Sequence, residues 1–247
     1  MVKTEEILIK GAKNKKSICD IFCYEPENIE EASLGNLYMV AELNADEDSS
    51  HLISLISSLI KREYYDSAHR GPLDSLEASL KKANLTLKEL TNKGNLEWLG
   101  KLHFICAAIN KEQDLFLSQS GDAQAYHYRE GSLTNITKKI VPPPAKPHPA
   151  KTFQSVISGK IEPTDKLFFA TPKLFEFFDV QGFKQLFDFP KIELISDQIN
   201  KTLREQKKIL PMSALLIEIV PEVEPVAAAE GKKNFITPPI RLEELLQ

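Results

Sequence analysis

The chain has 247 residues, of which 42% are hydrophobic, so it is long enough to bury a full core as one large α/β domain or two small ones. Its net charge of -4 lacks the basic excess of a nucleic-acid surface, which favours proteins or small molecules as partners. No apolar run approaches the ~18 residues of a membrane span, and the first residues lack the apolar region of a signal peptide. We therefore expect a cytoplasmic protein without a membrane span.

Three cysteines occur, at Cys19, Cys23 and Cys106. An odd and sparse count argues against a disulfide framework. Cys19 and Cys23 share a predicted strand face, but no second Cys/His pair lies nearby at zinc-ligand spacing. We expect reduced, buried thiols rather than a metal site.

The first third of the chain alternates short apolar runs with polar turns. Residues 5–10 and 18–24 predict two strands, which the polar turn at 11–16 would join as a hairpin. The apolar run 36–41 predicts a central strand, and an acidic loop over 42–48 follows it.

Two amphipathic helices follow, each with one apolar stripe. The first has Ser49 or Ser50 as its cap, and Pro72 suits the first position of the second. The stripes consist of Leu52, Leu55, Ile56, Leu59 and Ile60 in the first helix, and Leu73, Leu76, Leu80, Ala83, Leu87 and Leu90 in the second. We expect both to pack on a core, because the seam is too short for a coiled-coil partner surface.

The stretch 115–137 carries the strongest strand pattern, with turn chemistry at Gly121-Asp122 and Glu130-Gly131. Aromatic and β-branched residues between glycine corners predict a three-stranded meander. With a buried strand over 102–109 it would form an antiparallel run of four.

The remaining chain begins with a proline-dense segment at 141–149, which predicts a rigid surface connector; its PxxP spacing leaves a peptide-ligand role as the alternative. Strands are expected over 152–161, 166–171 and 214–220, the second of them central, and helices over 172–178, 182–187 and 191–206. We predict a domain over 1–220 and a flexible Pro/Ala/Glu-rich tail or linker over 221–247. This order of elements builds two packed sheets, each with a helix layer outside it.

Four stretches carry a resemblance to a known enzyme family. In chain order they are 35–42 (GNLYMVAE), 121–126 (GDAQAY) with Arg129, Gly131, Leu133 and Thr137 after it, 161–174 (IEPTDKLFFATPKL), and 211–220 (PMSALLIEIV). They resemble the Val-Ala-Asp-Gly strand, the Gly-Asp-Ser-Arg-x-Tyr hairpin, the Thr/Ser-Asp-Gly-Leu strand and the terminal Asp-Asn-x-Thr strand of PPM-type metal-dependent protein serine/threonine phosphatases. The resemblance covers roughly residues 5–220. It implies an α+β fold, a four-layer α-β-β-α sandwich of two mainly antiparallel sheets flanked by helices.

The same resemblance implies that the metal centre is degraded. In that family, carboxylates hold a pair of magnesium or manganese ions that activate a water to attack a phosphoester, and two such cations need several anionic oxygens. Here Glu42 stands at the first family Asp and Leu43 at the following Gly, while Pro172 and Pro211 stand at two further Asp positions. Proline offers no side-chain ligand, so these two metal positions are lost.

Some polar residues remain at matching positions. Lys15 corresponds to the phosphate-binding Arg, Asp20 to a metal-binding Asp, and Asp122 to an acid at the rim of the site. Each also has a structural interpretation, as a loop lysine, an exposed strand residue and a turn former respectively. We assign no catalytic residue, and Asp20, Glu42 and Asp122 stay the residual metal candidates.

These matches favour a degenerate PPM-type domain, a pseudophosphatase without a cofactor that acts as a protein-binding or regulatory module. The alternative is an active metal-dependent protein serine/threonine phosphatase with magnesium or manganese on non-standard ligands, drawn from Asp46, Glu47 or Asp48. The expected partner is a protein, such as a phosphoprotein or a kinase-linked signalling component. A third hypothesis is that the domain presents the tail or the polyproline segment to that partner.

Overall fold

The computed structural model describes residues 2–10, 17–45, 51–67, 69–140, 147–206 and 210–221. Within these ranges the chain forms ten strands and four α-helices. The strands are β1 (Val2–Ile9), β2 (Ile18–Tyr24), β3 (Asn36–Leu43), β4 (Leu102–Ile109), β5 (Asp114–Ser120), β6 (Gln124–Arg129), β7 (Ser132–Asn135), β8 (Ile157–Lys160), β9 (Lys166–Ala170) and β10 (Met212–Ile219). The helices are α1 (His51–Tyr65), α2 (Pro72–Asn92), α3 (Val180–Leu186) and α4 (Ile192–Arg204), and a short 3-10 helix spans Pro172–Glu176.

The strands form two five-stranded antiparallel sheets. One, the β10 sheet, has the order β1-β10-β9-β6-β7, and the other, the β3 sheet, has the order β2-β3-β4-β5-β8. The expectation that β9 is central is confirmed, since it lies in the middle of its sheet, and β3 is an interior strand as expected.

Three apolar layers hold the sheets and helices together. Met39 and Phe104 of the β3 sheet pack with residues of α1 and α2. Val40, Ile105 and Phe169 belong to the layer between the sheets, and Phe168 with Leu216 packs against α3 and α4. Successive residues of one strand thus face different layers, which is why β3, β4, β9 and β10 are apolar on both faces. The predicted four-layer α-β-β-α sandwich is confirmed.

The buried stripe of α1 differs from the predicted one at its edge. Leu55 is 46% exposed, whereas Ile53 and Tyr64 are buried. The Tyr64 hydroxyl donates a 2.6 Å hydrogen bond to the Leu34 carbonyl, so this helix is anchored to the chain before β3 by a polar group as well as by its apolar face. Both cap candidates of this helix, Ser49 and Ser50, lie outside the described residues.

The predicted hairpin over 5–10 and 18–24 is wrong. β1 pairs with β10, with Val2 opposite Ile219, whereas β2 pairs with β3 in the other sheet. A polar turn indicates that the chain changes direction, but the apolar faces of the strands decide which sheet they join. The connecting residues 11–16 lie outside the described residues.

The predicted meander is wrong at its first turn. β5 pairs with β4 and β8, while β6 pairs with β7 and β9, so the chain crosses from one sheet to the other at Gly121-Asp122. Gly121 has φ +64, and a Cβ there would lie 2.5 Å from the Leu102 carbonyl oxygen. Of these two turns, Glu130-Gly131 closes a hairpin, and the antiparallel run of four does not form.

The strand predicted over 152–161 is shorter than expected, because the segment before β8 lies against α2. The Asn84 side chain donates to the Phe153 carbonyl (2.8 Å) and accepts from the Phe153 N–H (3.0 Å). Both backbone groups of Phe153 therefore hydrogen-bond to a side chain of α2, and neither is available for pairing with a strand. The polyproline residues 141–146 and the tail residues 222–247 lie outside the described residues.

No helix in the described ranges is both long enough and apolar enough to cross a membrane.

Candidate functional site

One end of the sandwich, where β3 and β9 end and β10 begins, brings together four of the positions matched to the family, Glu42, Asp122, Pro172 and Pro211. Register places Cys19, Glu42 and His103 side by side on β2, β3 and β4. All three share strand parity with residues of the layer between the sheets, so their side chains lie on that face. Glu42 is fully buried there.

A lysine, not a metal ligand, contacts this carboxylate. Lys173, in the 3-10 helix that follows β9, places Nζ 2.7 Å from Glu42 Oε1. The same ammonium donates to Asn44 Oδ1 and to Ser17 Oγ, both at 2.7 Å. Because Lys173 follows a strand of the β10 sheet and its partners belong to the β3 sheet, this contact joins the two sheets.

The ion pair accounts for the burial of Glu42. An unpaired charge in the interior is strongly destabilising, and an ammonium at 2.7 Å offsets most of that cost. Neither oxygen of the Glu42 carboxylate has a hydrogen-bond partner among the described residues, so Lys173 holds Oε1 as an ion pair. The Lys173 charge is in turn neutralised by Glu42, so it does not make the site a binding site for anions.

His103 and Asp122 form the rim of the site through the backbone. The Asp122 N–H donates to His103 Nδ1 (2.9 Å), so this ring nitrogen carries no proton. Burial lowers the pKa of His103, against the pull of the Glu42 and Asp122 carboxylates, which favours the neutral ring at pH 7. The Asp122 carboxylate itself is 83% exposed. In this arrangement the backbone N–H of Asp122, and not its carboxylate, stabilises the turn.

Asp20 lies apart from Glu42. It pairs with Ala41, whose side chain belongs to the layer under α1 and α2, so Asp20 faces the opposite side of the β3 sheet. Its Oδ1 accepts a hydrogen bond from the Ile21 N–H at 3.0 Å. The other family position on this loop, Lys15, lies outside the described residues, as do Asp46, Glu47 and Asp48.

The thiol beside Glu42 is Cys19. Burial raises the pKa of Cys19 to about 12, and the Glu42 carboxylate adds to the shift. It is therefore a protonated thiol at neutral pH and a poor metal ligand or nucleophile. Cys19 and Cys106 are buried free thiols as expected, whereas Cys23 is half-buried.

The two prolines that were predicted to stand at family metal positions flank a hydrogen-bonded seam. Pro172 begins the 3-10 helix, and Pro211 is buried just before β10. Beside them the Ser213 N–H donates to Thr171 Oγ1 (3.1 Å), and Ser213 Oγ donates to the Ala41 carbonyl across the sheets (3.0 Å). These contacts are structural and leave no carboxylate at either position.

This set of side chains does not fit a pair of divalent cations. It offers one buried carboxylate, one amide oxygen and one hydroxyl, all three already bound to an ammonium. In the described ranges no three His, Cys, Asp or Glu side chains converge on one point. A second divalent ion would meet the Lys173 charge with too few anionic oxygens to offset it.

A pocket of about 210 Å³ lies at the rim of the site. His103 and Asp122 form part of its wall, together with Trp98, Lys151 and Thr152. The pocket is open to solvent and mixes apolar and polar groups, so it could accept a small group of a partner.

The sequence predicted site positions at Glu42, Asp122, Pro172 and Pro211, and Lys173 was not among them. The sequence did contain a clue to Lys173. This lysine stands at the position that corresponds to the glycine of the family motif, directly after Pro172. A side chain at a position that resembles a glycine has to fill the space that the glycine leaves open.

No protein-family model matches the chain, and no curated protein matches it. Solved structures do. The serine/threonine phosphatase PstP/Ppp of Mycobacterium tuberculosis is 13% identical with a TM-score of 0.64, over 89% of this chain and 99% of that one. The catalytic domain of PstP with two manganese ions is 13% identical with a TM-score of 0.58, over 89% and 99%. RsbX with magnesium is 12% identical with a TM-score of 0.61, over 88% and 94%. At these identities the likeness concerns the fold, and this chain has the fold of the PPM-type serine/threonine phosphatases.

Proposed function

We propose that this chain is a catalytically impaired PPM-like domain, a pseudophosphatase that acts as a protein-binding or regulatory module. The observation that carries the proposal is the Lys173 ammonium, which lies 2.7 Å from Glu42, the one buried carboxylate among the described residues of the site. The PstP catalytic domain and RsbX were solved with manganese and magnesium respectively, whereas the Glu42 carboxylate of this chain is paired with a lysine.

The chemistry of a two-metal hydrolase explains why this matters. Its metal ions lower the pKa of a bound water and clamp the phosphoryl oxygens, and both effects need cations that are held by carboxylates and open to water. The nitrogen of a lysine ammonium has no open coordination position, so it cannot bind a water as a Lewis acid and lower the pKa of that water. We therefore infer no hydrolytic role for Glu42.

The test is a hydrolysis assay with an aryl phosphate and with a phosphoserine peptide, in the presence of manganese or magnesium. We expect the wild-type protein and Glu42→Gln to give the same rate as buffer, while an active PPM phosphatase assayed in parallel turns over. Manganese-dependent hydrolysis that Glu42→Gln or Asp20→Asn abolishes would show that the domain is an enzyme.

One observation favours the second candidate function, an active phosphatase with non-standard ligands. Glu42 Oε2 is buried without a hydrogen-bond partner among the described residues, as a carboxylate waiting for a cation would be. Calorimetric titration with manganese separates the two functions, because two bound ions per chain would support the enzyme and the absence of binding heat would support the module.

For the partner we propose a protein, either a phosphoprotein or a kinase-linked signalling component, met in the cytoplasm. Three free cysteines agree with a reducing compartment. Since Lys173 is already paired, a phosphorylated partner would have to use other side chains. Capture of a candidate partner by the full chain and by a chain ending at Pro221 tests whether the tail carries the interaction, and equal capture would exclude the tail.

A further inference from the structure

We propose that Lys173 is a built-in cation that ties the two sheets together, and that its ammonium masks a latent cation site made of Ser17, Glu42 and Asn44. The proposal concerns binding and stability, and it goes beyond the loss of hydrolysis.

Three oxygens lie around the ammonium, two of them as hydrogen-bond acceptors and the third, Glu42 Oε1, as an ion-pair partner. A lysine ammonium has three hydrogens, and Nζ of Lys173 has three oxygen partners, Glu42 Oε1, Asn44 Oδ1 and Ser17 Oγ, each at 2.7 Å. Carboxylate, amide and hydroxyl oxygens are also the ligands that hard cations prefer. The three oxygens thus form a small cation-binding set that one tethered charge already occupies.

The three oxygens and the lysine come from different sheets, so the ammonium connects the sheets. Ser17 precedes β2, Glu42 and Asn44 stand at the end of β3, and Lys173 follows β9 of the other sheet. The neighbouring cross-sheet contact is a single neutral hydrogen bond, from Ser213 Oγ to the Ala41 carbonyl. Lys173 therefore supplies the charged part of the connection at this end.

Loss of the ammonium would leave the Glu42 carboxylate buried without a counter-charge. Glu42 is fully buried, and its side chain has no other cation within the contacts of the described residues. A buried carboxylate without its partner is strongly destabilising, so it would gain stability by binding any cation that can enter.

The experiment measures thermal unfolding of Lys173→Met, which keeps the apolar stem of the side chain and removes the charge. In chelator we expect the unfolding temperature to fall by about 10 °C relative to wild type. Magnesium or manganese chloride should recover part of this loss in Lys173→Met and leave the wild-type temperature unchanged. Calorimetry on the variant should show one bound ion per chain.

Two controls make the result specific. Glu42→Gln combined with Lys173→Met removes both charges, and it should be more stable than Lys173→Met alone and unresponsive to metal. Lys160→Met removes a lysine from an exposed pair with Asp114, 2.8 Å apart, and should shift the unfolding temperature by no more than about 2 °C. Should Lys173→Met fail to fold while the double variant folds, the coupling of the two charges is supported as well.

Contrary results are equally clear. If Lys173→Met were as stable as Lys160→Met, or if metal stabilised the wild type and Lys173→Met equally, the inference would be overturned. The fall in unfolding temperature in chelator is separate from the proposed function, because an active phosphatase with relocated ligands would still lose stability in Lys173→Met, and an inactive domain could still be indifferent to that substitution.

Discussion

Asp165 shows how one residue can anchor the end of the sandwich remote from the ion pair of Glu42. It is buried before β9 and receives a forked contact from Arg129, with Nε 2.9 Å from Oδ1 and Nη2 2.6 Å from Oδ2. The Glu162 N–H and His127 Nε2 also lie within 2.9 Å of Oδ2. Burial alone would raise the pKa of Asp165, but the Arg129, Glu162 and His127 contacts outweigh it and hold that pKa below its ordinary value.

This shift predicts the sign of a pH effect. Because the folded pKa of Asp165 is lower than the unfolded one, its contribution is complete above about pH 4 and is lost as the pH falls through the folded pKa. We expect Asp165→Asn to lower the free energy of unfolding by about 3 kcal/mol at pH 7, measured by urea denaturation. The difference from wild type should shrink as the pH falls below about 4.

The matched control is Glu162→Gln, since Glu162 contacts the same Arg129 at 2.8 Å but its side chain is 62% exposed. An exposed pair contributes less than about 1 kcal/mol. Equal losses in the two variants at pH 7 would refute the assignment of Asp165 as the anchor.

At the scale of the element, two glycine turns that look alike in sequence have different structural roles. Gly121 has φ +64 and carries the chain between the sheets, with the Leu102 carbonyl directly against it. Gly131 has φ +78, closes the β6–β7 hairpin, and has open space where a Cβ would stand. Both need the left-handed backbone, but only the first is also a site of close approach.

We therefore expect Gly121→Ala and Gly131→Ala to differ in cost. Gly131→Ala should lower the free energy of unfolding by about 1 kcal/mol, which is the backbone strain of a left-handed alanine. Gly121→Ala should cost about 3 kcal/mol, because the new methyl also overlaps the carbonyl of β4. Urea denaturation of the two variants measures the difference, and equal costs would show that the crossing tolerates movement.

These turns also show where sequence reasoning succeeded and where it stopped. Most strands and helices could be predicted, because periodicity and turn chemistry are local properties. The sheet that each strand joins could not be predicted, because strand partners can be far apart in sequence. β1 pairs with β10, and Val2 lies opposite Ile219. The site follows the same rule: Glu42 was recognisable within its own strand, but Lys173 contacts Asn44 over 129 positions of sequence.

At the scale of the whole molecule, the described members of the three apolar layers end at Ile219. The division into a domain over 1–220 and a tail over 221–247 remains a prediction. We expect a chain that ends at Pro221 to unfold within about 1 °C of the full chain, as surface changes away from a core do. Differential scanning calorimetry decides this, and a loss of several degrees would place part of the tail in the folded domain.

The pairing of β1 with β10 has a consequence under tension. Val2 stands opposite Ile219 and Ile9 opposite Met212, so a force applied through Val2 and Ile219 acts on one end of an antiparallel ladder. Such a load breaks the hydrogen bonds one after another, as in opening a zipper, and needs less force than shearing all of them at once. β1 would peel away first, while β10 keeps its pairing with β9. A pull on this domain would therefore remove the edge strand β1 before the layers beneath it separate, and leave the apolar strand β10 as a new edge that could pair with another strand.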